Sequence, residues 1–401
     1  MSFSTARTAA LLFAVSGLAA ADAPGGDRTT FFGGRLRLGG EVSGSIAPED
    51  EGFFNYTDYE TNTLRLFRIE LLAETQLHSK AALLFDARMD NLESPRVYAL
   101  YLRLRPWSGR DFDVQLGLVP TVFGSFPRRR YAFDNPLPSL PLVYQYLTTI
   151  REDALPRNAE EVVAQRGRGW LVRYPIGDPS FGPGRPLVNA ERWDAGIQAR
   201  IGLHPVSLAL AVTQGTLSHP TVEDDNGGKQ ISGRLAWMPG PSFTAGLSAS
   251  SGDFVADEAR DELPGGGPGR YRQQALGVDL EWARGHLILR GEAVFSSWHL
   301  PAVDPTRIEE PLDALGAFVE ARYKLRPGLY VASRVDRLAM AEIGSNLGYL
   351  SWDADVTRFE LGAGYSPLRN VLLKTAWQHN RRDGGRVQKS DLFVAQVLVW
   401  Y

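Results

Sequence analysis

Strict alternation of apolar and polar residues over long segments is the dominant pattern of this chain. In the segment 315–323, one set of alternate positions holds Leu, Ala, Val, Ala and Tyr, and the other holds Gly, Phe, Glu and Arg. The segments 193–201 and 358–365 repeat the pattern. Because successive side chains of a strand point to opposite faces, each segment predicts a β-strand with one apolar and one wet face. Segments of about ten residues or more suit tilted membrane strands, whereas globular strands average roughly five or six.

The connections between these segments are of two kinds that take turns along the chain. Short connections, such as 202–205, 283–285 and 325–328, alternate with long polar ones, such as 252–269 and 299–311. Transmembrane β-barrels show this arrangement, with short periplasmic turns and longer extracellular loops.

Aromatic residues mark the ends of the strands that enter the short turns. Trp237, Trp282, Tyr323 and Tyr365 share this position, and the chain stops on Tyr401 in the same outward phase. Amphipathic rings favour the headgroup level of a membrane, so the row predicts a periplasmic aromatic girdle. A soluble β-sandwich also alternates, but it does not explain the long strands, the paired loop lengths and this row together.

The predicted fold class is all-β, namely a transmembrane, antiparallel, up-and-down β-barrel. The alternation counts seventeen strands, among them the segment Arg166–Pro175. Bacterial single-chain barrels have even counts, so one assignment is wrong, and the direction of the strands places the error between 121 and 191. We favour eighteen strands with one missed there, and a sixteen-stranded barrel is the alternative.

The N-terminus predicts export. Residues 1–21 carry Arg7 and then a short apolar run that ends in Leu-Ala-Ala-Ala, which suits cleavage by signal peptidase after Ala21. The run is shorter than the roughly 20 residues that a transmembrane helix needs. We therefore expect a signal peptide at 1–21, one barrel domain at 22–401 and a location in the bacterial outer membrane.

Composition removes several classes of function. The chain has no cysteine, and its formal net charge of −3 gives no support for nucleic-acid binding. The six histidines are scattered, and neither a nucleophile elbow nor a phosphate-binding loop occurs. The sequence predicts no catalytic residues, no metal site and no cofactor.

The segment 121–168 is too long for an ordinary loop and is rich in arginine. Arg128, Arg129 and Arg130 follow its first bend. We expect the segment to fold into the lumen and to line a constriction with guanidinium groups, which favour anions. The alternative is a surface loop whose charges meet solvent or lipid headgroups. The remaining candidates for the pore lining are arginines of the predicted strands: Arg68, Arg103, Arg105, Arg322 and Arg334.

The stretch 114–124, which reads VQLGLVPTVFG, resembles the strand and bend of phosphate-selective porins. Those proteins show a Gly-x-x-x-Pro-Phe-Gly-like pattern before a long loop, whereas here Thr121 and Val122 separate Pro120 from Phe123. The stretch 225–235 is also similar to that family. The resemblance implies a passive pore, often trimeric, but it does not carry over phosphate selectivity.

We therefore expect an outer-membrane porin, not an enzyme, through which small polar solutes, anions among them, diffuse passively. The expected partners are outer-membrane lipid, lipopolysaccharide, such solutes, and two further copies of the chain in a homotrimer. Two alternatives stay open: a barrel that serves as a scaffold or sheath for a partner protein, and a hydrolase embedded in a barrel.

Overall fold

The computed structural model describes residues 29–59, 61–129, 131–263, 271–301, 308, 310–346 and 348–401. The expected signal peptide at 1–21 lies outside the described residues, as does Arg130. No helix among the described residues is long and apolar enough to span a membrane.

Sixteen antiparallel strands form one closed barrel. The barrel strands are β2 (Leu36–Ile46), β3 (Phe67–His78), β4 (Ala81–Asp90), β5 (Arg96–Leu104), β6 (Phe112–Val119), β9 (Asp194–Leu203), β10 (Val206–Thr213), β11 (Gln230–Gly240), β12 (Phe243–Asp253), β13 (Arg272–Arg284), β14 (Leu287–Trp298), β15 (Leu312–Arg326), β16 (Leu329–Met340), β19 (Val356–Leu368), β20 (Val371–Arg382) and β21 (Lys389–Trp400).

Short elements occupy the ends and connections of the barrel. They are β1 (Thr29–Phe31), a 3-10 turn (Phe126–Arg129), α1 (Leu142–Gln145), β7 (Ala154–Leu155), α2 (Ala159–Ala164), β8 (Ile176–Gly177), α3 (Asp257–Asp261), β17 (Glu342–Ser345) and β18 (Gly348–Ser351). Strand β1 pairs with the start of β2 and adds a seventeenth strand to the sheet outside the closed ring.

The barrel closes between its first and last strands. Glu41 of β2 lies opposite Trp400 of β21, and Ile46 lies opposite Ala395. The other edge of β2 pairs with β3, so both edges of the seam are used. Closure satisfies the backbone groups that would otherwise face lipid without a partner.

The exposed face of the wall is apolar and the inner face is mixed, as the alternation predicts. On β15, Leu315 and Val319 are exposed, whereas the neighbouring Phe318 and Glu320 are buried inside. The predicted aromatic row is also exposed at the turn ends, at Trp237, Trp282, Tyr323, Tyr365 and Tyr401. The prediction of a transmembrane β-barrel is confirmed.

The strand count is sixteen, the alternative, rather than the favoured eighteen. The segment Arg166–Pro175 is not a barrel strand, because it forms only an isolated bridge between Val172 and Gly182. Its alternation has another cause. Val172 and Tyr174 are buried against the chain's own loop core, whereas Leu171, just before them, is exposed. An extended segment that covers a core shows the same period of two as a wall strand.

We predict that Val319→Arg lowers the free energy of unfolding by about 2–4 kcal/mol, because Val319 is 62% exposed near the middle of the lipid face. Val319→Leu is the matched control and should change it by less than about 1.5 kcal/mol. Denaturant unfolding of the protein folded in phospholipid vesicles measures both. Equal effects would mean that this face does not contact hydrocarbon.

Candidate functional site

The connection between β6 and β9, residues 120–193, enters the barrel, and we call it the lumen segment. It starts where Val119 ends β6. Val122 then packs on Ala209 and Ala211 of β10, and the backbone N–H of Gly124 donates to the Ser248 hydroxyl of β12 at 3.0 Å. The segment therefore leaves the wall and follows the inner face towards β14.

Glu292 of β14 fixes the first bend of the lumen segment. Its carboxylate accepts hydrogen bonds from the backbone N–H and the hydroxyl of Ser125, each at 3.2 Å. The hydroxyl of Tyr144 donates to the other carboxylate oxygen. Phe126, which is fully buried, packs on the Tyr144 ring and against the edge of Phe318, with centroids 4.9 and 6.3 Å apart.

The segment then crosses the lumen between Arg129 and Tyr131, and we call these two residues the crossing. A guanidinium nitrogen of Arg129 lies 3.3 Å from a carboxylate oxygen of Glu320 on β15. Two residues later the Tyr131 hydroxyl donates to Asp86 on β4 at 3.0 Å. Strands β15 and β4 are nearly opposite each other in the closed strand order. Arg129 therefore lies where the chain spans the lumen.

Glu41 of β2 and Lys374 of β20 hold the chain beyond the crossing. Glu41 accepts hydrogen bonds from the backbone N–H groups of Ala132 and Phe133, at 3.3 and 3.0 Å. The Lys374 ammonium donates to the carbonyls of Ala132 and Asn135, at 2.7 and 3.0 Å. Both wall charges thus satisfy backbone groups of the lumen segment.

Arg334 lies between the barrel wall and the lumen segment, where water does not reach it. Its side chain is fully buried, donates to the carbonyl of Leu140 at 3.1 Å and forms ion pairs with Asp336 and Glu360, at 3.1 and 2.8 Å. Arg358 on the next strand donates to the same Leu140 carbonyl at 3.1 Å. The predicted pore-lining Arg334 is therefore placed as an anchor of the segment.

The other predicted arginines are spread over the height of the wall. Arg68, near the extracellular end of β3, pairs with Asp90 at 2.8 Å, and Arg103 on β5 pairs with Glu74 at 2.8 Å. Arg105 is exposed in the periplasmic turn after β5. Arg68 and Arg103 are thus both paired with carboxylates of the wall.

Arg129, Arg290 and Arg322 form a group on the periplasmic side of the crossing. Arg290 of β14 pairs with Glu281 at 2.6 Å and approaches Glu320 to 3.6 Å. The Arg322 guanidinium lies 4.5 Å from the centre of the Tyr330 ring. One guanidinium nitrogen each of Arg129 and Arg290 is buried without a hydrogen-bond partner among the described residues. The group therefore brings three cations close together on this side of the lumen.

Asp134 faces this arginine group from the lumen segment. It is exposed, but it lies inside the barrel, where desolvation by the surrounding protein raises its pKa to about 6. Arg129, Arg290 and Arg322 oppose that rise. Burial, together with the neighbouring charge of Arg290, lowers the pKa of Arg129. Asp134 is thus a carboxyl of the lumen segment whose pKa lies close to physiological pH.

Sequence reasoning missed Glu41 and Lys374. Glu41 and Lys374 lie in the inward phase of their strands, so their orientation was available from the alternation. Glu320 was assigned to the wet face, and its inward direction is right. It is nevertheless 1% exposed, because Arg129, Arg290 and Arg334 surround it.

Above the crossing, the lumen segment forms a core of its own. Tyr146, Ile150 and Leu155 pack with Trp298 and Trp352 from the wall and an extracellular loop. Charged contacts tie this core to other loops: Arg185 pairs with Glu152 and with Asp58, Arg192 pairs with Asp58, and Asp353 accepts backbone hydrogen bonds from Thr149 and Gly167. The core of the lumen segment is therefore held in the extracellular half of the lumen and narrows it.

The periplasmic half of the lumen is in contact with water. Arg37 and Glu281 have side chains that are 51% and 43% exposed, and Asp134 is exposed as well. Among the described residues, no cluster of three or more His, Asp or Glu side chains is arranged to hold a metal ion.

No protein-family model matches the chain, and no curated protein matches it in sequence. Solved structures do match its fold. The outer membrane channel DcaP of Acinetobacter baumannii is 12% identical, with a TM-score of 0.55, over 91% of this chain and 97% of that chain. OmpF of Salmonella typhi, solved in complex with daunomycin, is 12% identical, with a TM-score of 0.56, over 93% and 100%. A loop L8 deletion mutant of OmpT, an outer membrane protein of Vibrio cholerae, is 9% identical, with a TM-score of 0.54, over 91% and 99%.

The chain has the porin-type barrel fold. These similarities extend over nearly the whole of each barrel, so they concern the complete wall and not a local motif. At these identities the likeness shows the fold alone.

We predict that Gly124→Ala destabilises the protein more than Gly227→Ala. Both glycines have positive φ, at 64° and 62°, so an alanine costs roughly 1–2 kcal/mol of backbone strain at either. Only at Gly124 would the added carbon also collide with Glu292 and Tyr144, whereas Gly227 has open space around it. We expect about 1–3 kcal/mol of additional loss in the unfolding free energy of Gly124→Ala, measured in detergent. Equal losses would mean that the bend at Gly124 is not closed by these side chains.

Proposed function

We propose that the protein is an outer-membrane porin, a water-filled channel for passive diffusion of small polar solutes, with anions favoured. The observation that carries the proposal is a sixteen-stranded barrel whose lumen is crossed by a charged chain segment. At sixteen strands the wall side chains do not fill the interior, and an aqueous channel remains unless another segment enters it. Here the lumen segment narrows that channel.

The crossing supports a role for guanidinium groups in selectivity. The guanidinium groups of Arg129, Arg290 and Arg322 are partly exposed and lie on the side of the lumen that is in contact with water. A permeating carboxylate or phosphate would find donors there, and guanidinium geometry suits both. Glu281 and Asp134 nearby would attract cations, so the preference for anions depends on the balance between the two sets. The resemblance to phosphate-selective porins supports an inward role for the long loop after Gly124. It does not extend to phosphate selectivity.

The proposed partners are such solutes and outer-membrane lipid, including lipopolysaccharide, and the proposed assembly is a homotrimer. Two similar barrels support these proposals: OmpF of Salmonella typhi was solved with a small molecule, and OmpT of Vibrio cholerae was solved in a trimer form.

We predict that the purified protein gives stepwise ion conductance in planar bilayers, and that converting Arg128, Arg129 and Arg130 to Gln lowers the ratio of anion to cation permeability. Removing cations from a region of restricted water weakens the local positive potential, and this effect should fade as salt shortens the screening length. Reversal potentials under a KCl gradient, at low and at high salt, measure the ratio.

The matched control is Arg157→Gln. Arg157 belongs to the same lumen segment, but its side chain is 57% exposed and pairs with Glu161 four positions on. Removing the charge of Arg157 should leave the ratio of anion to cation permeability unchanged. A closed barrel in the bilayer would contradict the porin proposal, and an unaltered ratio in the triple variant would place the arginines away from the ion path.

We predict that the anion preference grows as the pH falls from about 7.5 to about 5. The pKa of Asp134 is raised to about 6, so its carboxylate is charged at the upper pH and neutral at the lower one. Protonation removes a negative charge beside Arg129 and Arg290, which favours anions. In Asp134→Asn the ratio should already be high at the upper pH, and the step near pH 6 should be absent. A step that survives in this variant would assign the titration to another group.

A further inference from the structure

The wall has a gap at its extracellular end, between β5 and β9. Strand β6 pairs with residues 100–104 of β5, and the uppermost pair is Leu100 opposite Leu118. The pairing stops there because the chain turns into the lumen after Val119. Residues 96–99 of β5 therefore have no strand partner on that side among the described residues. Loops rather than backbone pairing close this part of the wall.

A cavity of about 120 Å³ lies in the gap. Its lining comes from six stretches of the chain and includes Tyr59, Arg96, Val97, Arg192, Trp193 and Val222. Val97 is 53% exposed and Val222 is 65% exposed, so the cavity borders the outside of the barrel.

Two arginines of the lining stack on one ring. The guanidinium carbons of Arg96 and Arg192 each lie 4.0 Å from the centre of the Tyr59 ring. Such contacts hold the planar groups in place without using their hydrogen-bond donors. Arg192 lies 2.8 Å from Asp58, whereas the carboxylate paired with Arg96 is that of Glu93, 3.9 Å away. One guanidinium nitrogen of Arg96 is buried without a hydrogen-bond partner among the described residues.

The cavity lining carries an excess of positive charge. Its cations are Arg88, Arg96 and Arg192, and its acid is Glu191. Glu191 is already bonded to Arg88 and lies 3.3 Å from Arg68. The guanidinium groups of Arg96 and Arg192 are thus oriented by Tyr59 and keep donor capacity for an anion.

Apolar wall continues directly below the cavity. Leu100 and Leu116 point outwards and are 44% and 38% exposed. A ligand that fits both regions has an anionic head and an apolar tail. Guanidinium forks match phosphate oxygens in geometry as well as charge.

We propose that this gap binds the phosphate of an outer-leaflet lipid, with the phosphate at Arg96 and Arg192 and an acyl chain against Leu100 and Leu116. The proposal rests on the barrel spanning the outer membrane, and it does not depend on conductance. It places lipid where the wall lacks strand pairing, so the lipid would seal the gap.

The test is binding of lipid A to the full protein, folded in detergent and followed by native mass spectrometry. The double variant Arg96→Gln, Arg192→Gln should bind lipid A at least about tenfold more weakly, because one charge-assisted hydrogen bond contributes that much. Arg337→Gln is the matched control. Arg337 lies in the outward phase near the extracellular end of β16, and its side chain is 52% exposed. It should bind like the unmodified protein.

Two further probes separate the sources of phosphate. Lipid A without phosphate groups should bind weakly to the unmodified protein, and equal binding would overturn the assignment of the head group. Inorganic phosphate alone should bind far more weakly than lipid A. If it binds as well, and depends equally on the two arginines, the cavity is a site for free anions and the lipid proposal is wrong.

Folding is checked by far-ultraviolet circular dichroism of each variant. If the double variant does not fold, the single variant Arg96→Gln decides, because the nearest ion pair of Arg96 is long and exposed and its loss leaves no buried charge. Unchanged binding of lipid A in this variant would overturn the proposal, as would an equal loss in Arg337→Gln. A non-conducting protein that still binds lipid A through Arg96 would contradict the porin proposal alone.

Discussion

The need to pair every backbone N–H and C=O group in hydrocarbon determines the rest of this structure. The seam between β2 and β21 meets that need, and it closes the wall at sixteen strands. A ring of that size is too wide for wall side chains to fill. Chain that enters the space brings backbone groups of its own, and these also need partners. The wall supplies them through Glu41, Lys374 and Arg358, each of which bonds to main-chain atoms of an inward segment or loop.

The inner charges therefore have two different roles: some hold the lumen segment in position, and the others are available to a solute. A buried ion pair adds little net stability compared with apolar packing, but breaking it by removing one partner is costly. Such pairs consequently specify a position more than they stabilise it. Arg334 illustrates this, since its partners come both from the wall and from residues 139 and 140 of the lumen segment. Charges used in this way are not available to a solute, and the path of the lumen segment decides which ones they are.

Local pattern was enough to predict the wall. The period of two, the alternation of loop lengths and the outward aromatics gave its fold class, and the rule of even counts located the one wrong strand between 121 and 191. Pattern could not identify that strand as Arg166–Pro175. Val172 and Tyr174 alternate with exposed neighbours because they cover a core within the lumen segment, and an extended segment on a core has the same signature as a wall strand.

The candidate site was less accessible to sequence reasoning, for a related reason. The inward phase of Arg322, Arg334 and Glu320 follows from alternation alone. Whether each meets water depends on residues far away in the chain, since Glu320 is covered by Arg129 and Arg334 by Leu140. Arg105 shows a second limit of the alternation. It follows the last residue of β5 and lies in a turn, where the alternation of a strand does not predict the direction of a side chain.

The net charge of the chain, −3, therefore says little about the selectivity of such a lumen. Most inner charges neutralise one another within the protein, as Arg234 and Asp279 do at 2.6 Å. In our proposal, a permeating ion meets the remaining charges near the crossing. There Arg129, Arg290 and Arg322 stand against Glu281 and Asp134. A balance this close is shifted by a single proton, and the raised pKa of Asp134 brings that proton into the range in which the bacterial surroundings vary.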